Sequence, residues 1–156
     1  MKASFLLIPV LLLRFVARAA DAPDLRLDLL APSLKILTDM DRRTVDAAVQ
    51  LIQKGENTLA LAQLLTLSKS NPKNSSLRIL AAYTSLKLGD LVGALNHSKT
   101  AEKAPDHTAY ACWFLAKVAV LKGDTKTSKR EIKHISGVPE YREEARKLAA
   151  ELNAKK

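Results

Sequence analysis

Lys54-Gly55-Glu56 recurs along the chain as Leu88-Gly89-Asp90 and again as Lys122-Gly123-Asp124. The three glycines are 34 residues apart in both intervals, a regularity that chance rarely produces. A repeat of this length is typical of a solenoid, in which every unit is a pair of helices and neighbouring units share one core. The period therefore predicts three successive helix pairs, each with a glycine at its centre.

The glycine at the centre of each pair has a physical role. Val45, Val49 and Ile52 precede Gly55 with helical spacing, and a second apolar run begins at Leu61. Glycine readily adopts the positive φ that ends a helix, and the acidic residue after it suits the N-terminus of the next helix. Each unit is therefore predicted to be helix, tight turn, helix.

A proline marks the far end of each unit. Pro72, Pro105 and Pro139 follow the three glycines by 17, 16 and 16 residues. Because proline cannot continue a helix, each one is expected to end the second helix of its unit and to turn the chain into the next.

Small residues lie in register with the glycines. Ala47-Ala48 and Ala81-Ala82 come seven to eight residues before a glycine, and Ala60 and Ala94 come five residues after one. Ser128 stands at the corresponding position of the third unit. Small side chains let two helices approach closely, so these positions are predicted to lie between the helices of a pair.

This spacing resembles the tetratricopeptide repeat (TPR) family over roughly residues 41–139, although the aromatic residues of the family pattern are mostly missing. The resemblance implies an all-α fold: a right-handed solenoid of about three helix-turn-helix repeats. Residues 140–153 have high helix propensity and one apolar face, which predicts a C-terminal capping helix. The TPR-like domain is therefore expected to span residues 41–153. The units themselves are placed near residues 41–74, 75–108 and 109–140.

The composition of the 156-residue chain agrees with one domain of packed helices. Hydrophobic residues make up 47% of the chain and aromatic residues only 4%. A chain that is rich in alanine and leucine but poor in aromatic residues favours helices over sheets. No alternating strand pattern extends beyond a few residues.

Residues 1–20 differ in kind from the rest of the chain. Met1-Lys2 gives a positive start, residues 5–13 form an apolar run, and Ala17-Arg18-Ala19 supplies small residues for a cleavage point. This layout predicts a secretory signal peptide, and the run is shorter than the ~20 apolar residues of a membrane span. The alternative is an organelle presequence, which would fit the arginines and the lack of acids before Asp21. A single serine and an evenly apolar run favour export.

Residues 21–40 are expected to form an N-terminal linker with a short helix that opens at Pro32-Ser33. Leu25, Leu27 and Leu29 are unusually apolar for a linker. We therefore expect this segment to lie against the rest of the protein.

A third of the net positive charge belongs to the predicted signal peptide. The chain has 25 basic and 16 acidic residues and a net charge of +9, and loss of three basic residues with the signal leaves +6. A basic patch remains on the second helix of the third unit, formed by Lys126, Lys129, Arg130 and Lys133. Because Asp124 and Glu131 interrupt the patch and no aromatic residue is interleaved for stacking, a solvated helix face is favoured over nucleic-acid binding.

No catalytic site, metal site or cofactor is expected. His97, His107 and His134 share no i,i+3 or i,i+4 spacing, whereas a metal needs three or four converging ligands. Cys112 is the only cysteine, and its helix register predicts a buried, inert thiol. The sequence contains no Gly-rich phosphate loop and no nucleophile elbow. We therefore expect a non-enzymatic protein without a small-molecule substrate.

The resemblance implies a concave groove lined by the first helix of each unit. The positions at which some TPR modules clamp a chaperone carboxylate hold apolar or aromatic residues here, so that activity is not carried over. Trp and Tyr are frequent anchors of binding hot spots. The alternative is that neighbouring units, or residues 25–37, cover the residues that would line this groove. The residues expected to bind a peptide are Val49, Ile79, Tyr83, Leu86, Tyr110, Trp113 and Lys117.

The expected function is binding of a protein or peptide partner in the bacterial cell envelope, in the periplasm or after secretion. The alternative is a surface binder that uses the basic patch for an acidic partner, anionic lipid or nucleic acid, or an accessory subunit of an enzyme. Contact with a membrane would be peripheral, and self-association is left open.

We predict that the mature chain begins at Ala20 or Asp21, because Ala17-Arg18-Ala19 ends the apolar run. N-terminal sequencing of the protein purified from its own host checks this. A chain that keeps Met1 and stays in the membrane fraction would contradict export with cleavage.

Overall fold

The computed structural model describes residues 22–155, and this part of the chain is all-helical, as predicted. The predicted signal peptide at residues 1–20 lies outside it. The described part contains eight α-helices and one 3-10 helix, Pro139–Tyr141. The α-helices are α1 (Leu27–Leu34), α2 (Asp39–Gln53), α3 (Asn57–Ser70), α4 (Ser75–Lys87), α5 (Leu91–Glu102), α6 (Ala109–Lys122), α7 (Thr125–Ser136) and α8 (Arg142–Ala154).

Helices α2 to α7 form three pairs, as the 34-residue period predicts. A turn at Gly55, Gly89 or Gly123 joins the two helices of each pair, and the three φ angles are +81°, +76° and +80°. Within residues 22–155, no other residue has a positive φ. The prediction that these glycines supply a left-handed turn is confirmed.

The backbone around each glycine closes the preceding helix with the same two hydrogen bonds. The Gly55 amide donates to the carbonyl of Ile52 at 3.1 Å, and the Glu56 amide donates to that of Leu51 at 2.8 Å. The same two bonds recur at Gly89 and at Gly123. This is the Schellman arrangement, which satisfies carbonyls at a helix end and needs one left-handed residue.

The acidic residue after the glycine caps the next helix in two of the three turns. The Asp90 carboxylate accepts a hydrogen bond from the Gly93 amide at 2.8 Å, and Asp124 accepts one from the Thr127 amide at 3.0 Å. Glu56 makes no such side-chain bond. All three acidic residues therefore stand at the N-terminus of the next helix, as predicted, and only the two shorter side chains also accept a capping hydrogen bond.

The second helix of each pair ends before its proline, as predicted. Helices α3, α5 and α7 end two or three residues before Pro72, Pro105 and Pro139. Each proline therefore lies in the connection to the next helix, where its missing N–H costs no helical hydrogen bond.

From α2 to α8, each helix packs against the next one along the chain. The larger of two buried clusters extends from α1 to α6. The second joins α6, α7 and α8 around Cys112, Ile135 and Leu148. Since Ala145, Leu148 and Leu152 are the buried residues of α8, the predicted C-terminal helix covers the last pair with one apolar face.

One packing prediction in α2 is wrong. Ala47 is exposed, whereas Ala48 is fully buried together with Val45 and Ile52. The buried positions follow the i, i+3, i+7 rule, and Ala47 lies outside that stripe.

The N-terminal helix also differs from its prediction. It begins at Leu27 and includes Pro32, instead of opening at that proline. Proline removes one helical hydrogen bond, and the helix ends two residues later at Leu34. The expectation that this segment lies against the rest of the protein is confirmed, since Leu30 is buried and α1 packs on α4.

We predict that Gly123→Ala lowers the free energy of unfolding by about 1 kcal/mol, because alanine disfavours a left-handed φ. A Cβ at Gly123 would have no atom within 4 Å, so the cost comes from the backbone alone. Thermal or urea unfolding measures it.

Gly137→Ala is the matched control. Gly137 also ends a helix, but its φ is −76° and an added Cβ would make an ordinary contact at 3.4 Å. The control is expected to be neutral or slightly stabilising. Equal effects of the two substitutions would contradict the assignment of the turn.

Candidate binding groove

The predicted groove residues lie on the first helices of the three pairs, α2, α4 and α6, and they differ in exposure. Ile79 and Leu86 are buried in the core, so they offer no surface to a partner in this arrangement. Tyr110 is also buried. The half-buried residues of the set are Val49, Tyr83, Trp113 and Lys117.

Helix α1 covers part of the surface that was predicted to form the groove. The Asn74 side-chain amide donates to the carbonyl of Ser33 at 2.8 Å, and the Ser76 hydroxyl donates to that of Leu30 at 3.1 Å. Ser76 lies three residues before Ile79, on the same face of α4. The N-terminal segment therefore lies on the face of α4 that was predicted to line the groove, which is the alternative that the sequence left open.

The chain before α1 reaches across to α6. The Arg26 amide donates a hydrogen bond to the Tyr110 hydroxyl at 3.2 Å. Burial raises the pKa of this hydroxyl, so it stays neutral in this environment. One predicted binding residue thus holds the protein's own N-terminal segment.

Trp113 stands at the boundary between core and solvent. Its ring stacks on that of Tyr110, with centroids 5.4 Å apart and planes 22° apart, and Phe114 meets it edge-on at 6.3 Å. Trp113 packs against both buried clusters yet stays half-buried. Part of its ring is therefore available beside the core.

A cleft of about 390 Å³ opens beside Trp113, and we call it the aromatic cleft. Three aromatic rings, three smaller apolar side chains and three charged residues line it. Six of these residues were assigned no role by the repeat pattern, so sequence reasoning missed them: Arg26, Ala109, Val138, Glu140, Tyr141 and Glu144. The lining consists of Tyr110, Trp113, Tyr141, Leu29, Ala109, Val138, Arg26, Glu140 and Glu144.

The charges of the aromatic cleft are unevenly neutralised. Arg26 pairs with Asp28 at 2.7 Å. Neither Glu140 nor Glu144 forms an ion pair with another residue of the described chain. Two carboxylates without a cationic partner therefore stand beside the aromatic rings.

Lys117, the charged member of the predicted set, has an internal partner. Its Nζ lies 2.9 Å from both carboxylate oxygens of Glu151 in α8. Helix α8 also packs against α6. The C-terminal helix therefore covers one end of α6, while the N-terminal segment holds Tyr110 at the other.

The basic patch lies on the exposed side of α7. Lys126, Lys129 and Lys133 are exposed and form no ion pair within residues 22–155. Arg130 is engaged with Glu131 and, at 3.6 Å, with Glu102. Three lysines are thus free to meet an anionic surface.

Cys112 is buried, as predicted. Burial and the charges of Glu131 and Glu102 raise the pKa of its thiol to about 11, so the metal-free thiol is protonated. Of the three histidines, only His134 belongs to a cluster with Cys112, and Glu131 completes it. Sequence spacing could not predict this cluster, because Cys112 lies on α6 whereas Glu131 and His134 lie on α7.

The chain matches no protein-family model and no curated protein sequence. Between residues 22 and 155, no helix is both long enough and apolar enough to span a membrane.

We predict that Tyr110→Phe loosens the N-terminal segment, since it removes the hydroxyl that accepts the hydrogen bond of the Arg26 amide. Loss of such a bond costs about 1 kcal/mol. Hydrogen–deuterium exchange should show faster exchange of the peptide that contains Arg26, with a small fall in the melting temperature.

Tyr141→Phe is the control, because the Tyr141 hydroxyl forms no hydrogen bond with the described residues. It should leave exchange at Arg26 unchanged. Equal exchange in both variants would show that the Tyr110 hydroxyl does not hold the segment.

Proposed function

We propose that this protein is a non-enzymatic, TPR-like module that binds a peptide segment of a partner protein at the aromatic cleft. The observation that carries the proposal is the half-buried Trp113, stacked on Tyr110 beside two unpaired carboxylates. Aromatic residues in such pockets are the usual hot spots of interfaces. The three helix pairs with Schellman turns at a 34-residue period support the TPR-like interpretation.

The chemistry of the cleft favours a cationic, partly apolar segment. Trp113 and Tyr141 suit an apolar or aromatic side chain, and they also suit the face of a guanidinium. Glu140 and Glu144 suit a Lys or Arg beside it. A volume of about 390 Å³ lies at the small end of the range for ligand pockets, so it fits a few side chains.

The N-terminal segment limits how much of the groove a partner can use. Arg26 and Leu29 line the cleft, and α1 covers the neighbouring face of α4. A short segment can enter the cleft beside α1. A longer peptide that runs on along α4 at Ser76 must first displace α1.

The proposed location is the bacterial cell envelope, after export and cleavage. This part of the proposal rests on residues 1–20 alone, with their positive start, apolar run and small residues before Asp21.

Selection from a displayed peptide library on the full chain tests the proposal. We expect peptides that combine an aromatic or aliphatic residue with Lys or Arg. Trp113→Ala should weaken their binding by a factor of ~30 or more, which corresponds to the ~2 kcal/mol of a hot spot. The double variant Glu140→Gln/Glu144→Gln should weaken binding less and should reduce its salt dependence.

The double variant Lys129→Gln/Lys133→Gln is the control, and its peptide affinity should equal that of the wild type. This control also tests the second candidate, which the exposed lysines of the basic patch favour. If selected peptides are acidic and bind through Lys129 and Lys133, the protein is a binder of anionic surfaces and the aromatic cleft is not its site.

A further inference from the structure

The third helix pair contains a group of three side chains that differ in chemistry and converge on one point. One ligand atom from each of Cys112, Glu131 and His134 lies within 4.8 Å of the other two. Cys112 lies on α6, and the other two residues lie on α7. A thiol, a carboxylate and an imidazole are the side-chain groups that zinc binds in proteins.

The fold explains why these residues meet. Cys112 comes eleven residues before Gly123 and His134 comes eleven residues after it. In a hairpin of two helices, residues at equal distances from the turn lie side by side. Glu131 is three residues before His134 and therefore points from the same face of α7.

Glu131 supplies a second and independent observation. Its side chain is 1% exposed, which is rare for a glutamate unless it is paired or coordinates a metal. Oε1 accepts a hydrogen bond from Arg130, but Oε2 has no hydrogen-bond partner within the described chain. A buried carboxylate oxygen without a partner is unfavourable, and a cation at this point would satisfy it.

The charge around the cluster also favours a divalent cation. With Cys112 as a thiolate, the site contains that thiolate and the carboxylates of Glu131 and Glu102 against the guanidinium of Arg130. The excess of two negative charges equals the charge of one zinc ion.

We propose that Cys112, Glu131 and His134 bind one zinc ion. Tetrahedral zinc with bonds of ~2.0–2.3 Å places its ligand atoms roughly 3.3–3.8 Å apart, so separations of up to 4.8 Å need to shorten by at most about 1.0–1.5 Å. His134 is exposed and its side chain is free to make this adjustment. The buried apolar residues Ala116 and Ile135 belong to the same cluster as Cys112, whereas His134 is exposed to solvent. Water therefore takes the fourth position.

Cobalt(II) is the probe, because its spectrum reports both a thiolate ligand and tetrahedral geometry. The experiment uses the reduced full chain, without a histidine tag and after treatment with a chelator. We expect one Co²⁺ per chain, a thiolate-to-cobalt charge-transfer band, intense visible bands and displacement of Co²⁺ by Zn²⁺. Absence of the charge-transfer band, or weak octahedral spectra alone, would overturn the proposal.

Three variants separate this site from surface binding. Cys112→Ser should remove the charge-transfer band. His134→Gln, at an exposed position that cannot threaten the fold, should weaken Co²⁺ binding at least ~10-fold. His107→Gln is the matched control at another exposed histidine, and it should bind Co²⁺ like the wild type. Wild-type affinity in His134→Gln, or a charge-transfer band that persists in Cys112→Ser, would overturn the proposal.

A fourth variant distinguishes a ligand from a residue that only supports the fold. Glu131→Gln keeps an oxygen for Arg130 but removes the charge. The metal-free variant should melt within a few degrees of the metal-free wild type, while the rise in melting temperature that Zn²⁺ gives the wild type should be lost. The same rise in both proteins would show that Glu131 is not a ligand.

Discussion

The left-handed turn at Gly55, Gly89 and Gly123 is the constraint on which the other features of this protein depend. A single positive φ lets the chain close one helix through two backbone hydrogen bonds and begin the next within two residues. The two helices of a pair then run side by side. Residues that lie equally far before and after the glycine therefore come close together. The meeting of Cys112 on α6 with Glu131 and His134 on α7 follows from this geometry.

The features that could be predicted from the sequence are those that local chemistry determines. Glycine turns, helix ends before prolines and the apolar face of α8 each depend on a few neighbouring residues. The surroundings of Tyr110 could not be predicted, because Arg26 binds it across 84 residues of chain. Tyr141 and the buried Glu131 likewise gain their roles from packing against other helices, for which the repeat pattern has no signal.

Both termini of the described chain fold back on the helix pairs. Helix α1 covers α4, while α8 covers α6 and α7. A short array of helix pairs leaves apolar surface at its ends, and these two helices bury much of it. The aromatic cleft lies where the two coverings approach each other, between Arg26 on one side and Glu144 on the other.

Asp124 makes the junction of the second and third pairs resistant to acid. Its carboxylate accepts hydrogen bonds from the Thr127 amide and hydroxyl and pairs with Lys99 of α5 at 3.1 Å. The bond from the Thr127 amide is the main reason why the pKa of Asp124 is lowered from 3.8 to about 2. Because the pKa of Asp124 is lower in the folded protein, the ionised carboxylate stabilises the fold fully above the unfolded pKa. This stabilisation is lost as the pH falls through the folded pKa. The cap of α7 therefore survives acidification that would already protonate an ordinary aspartate.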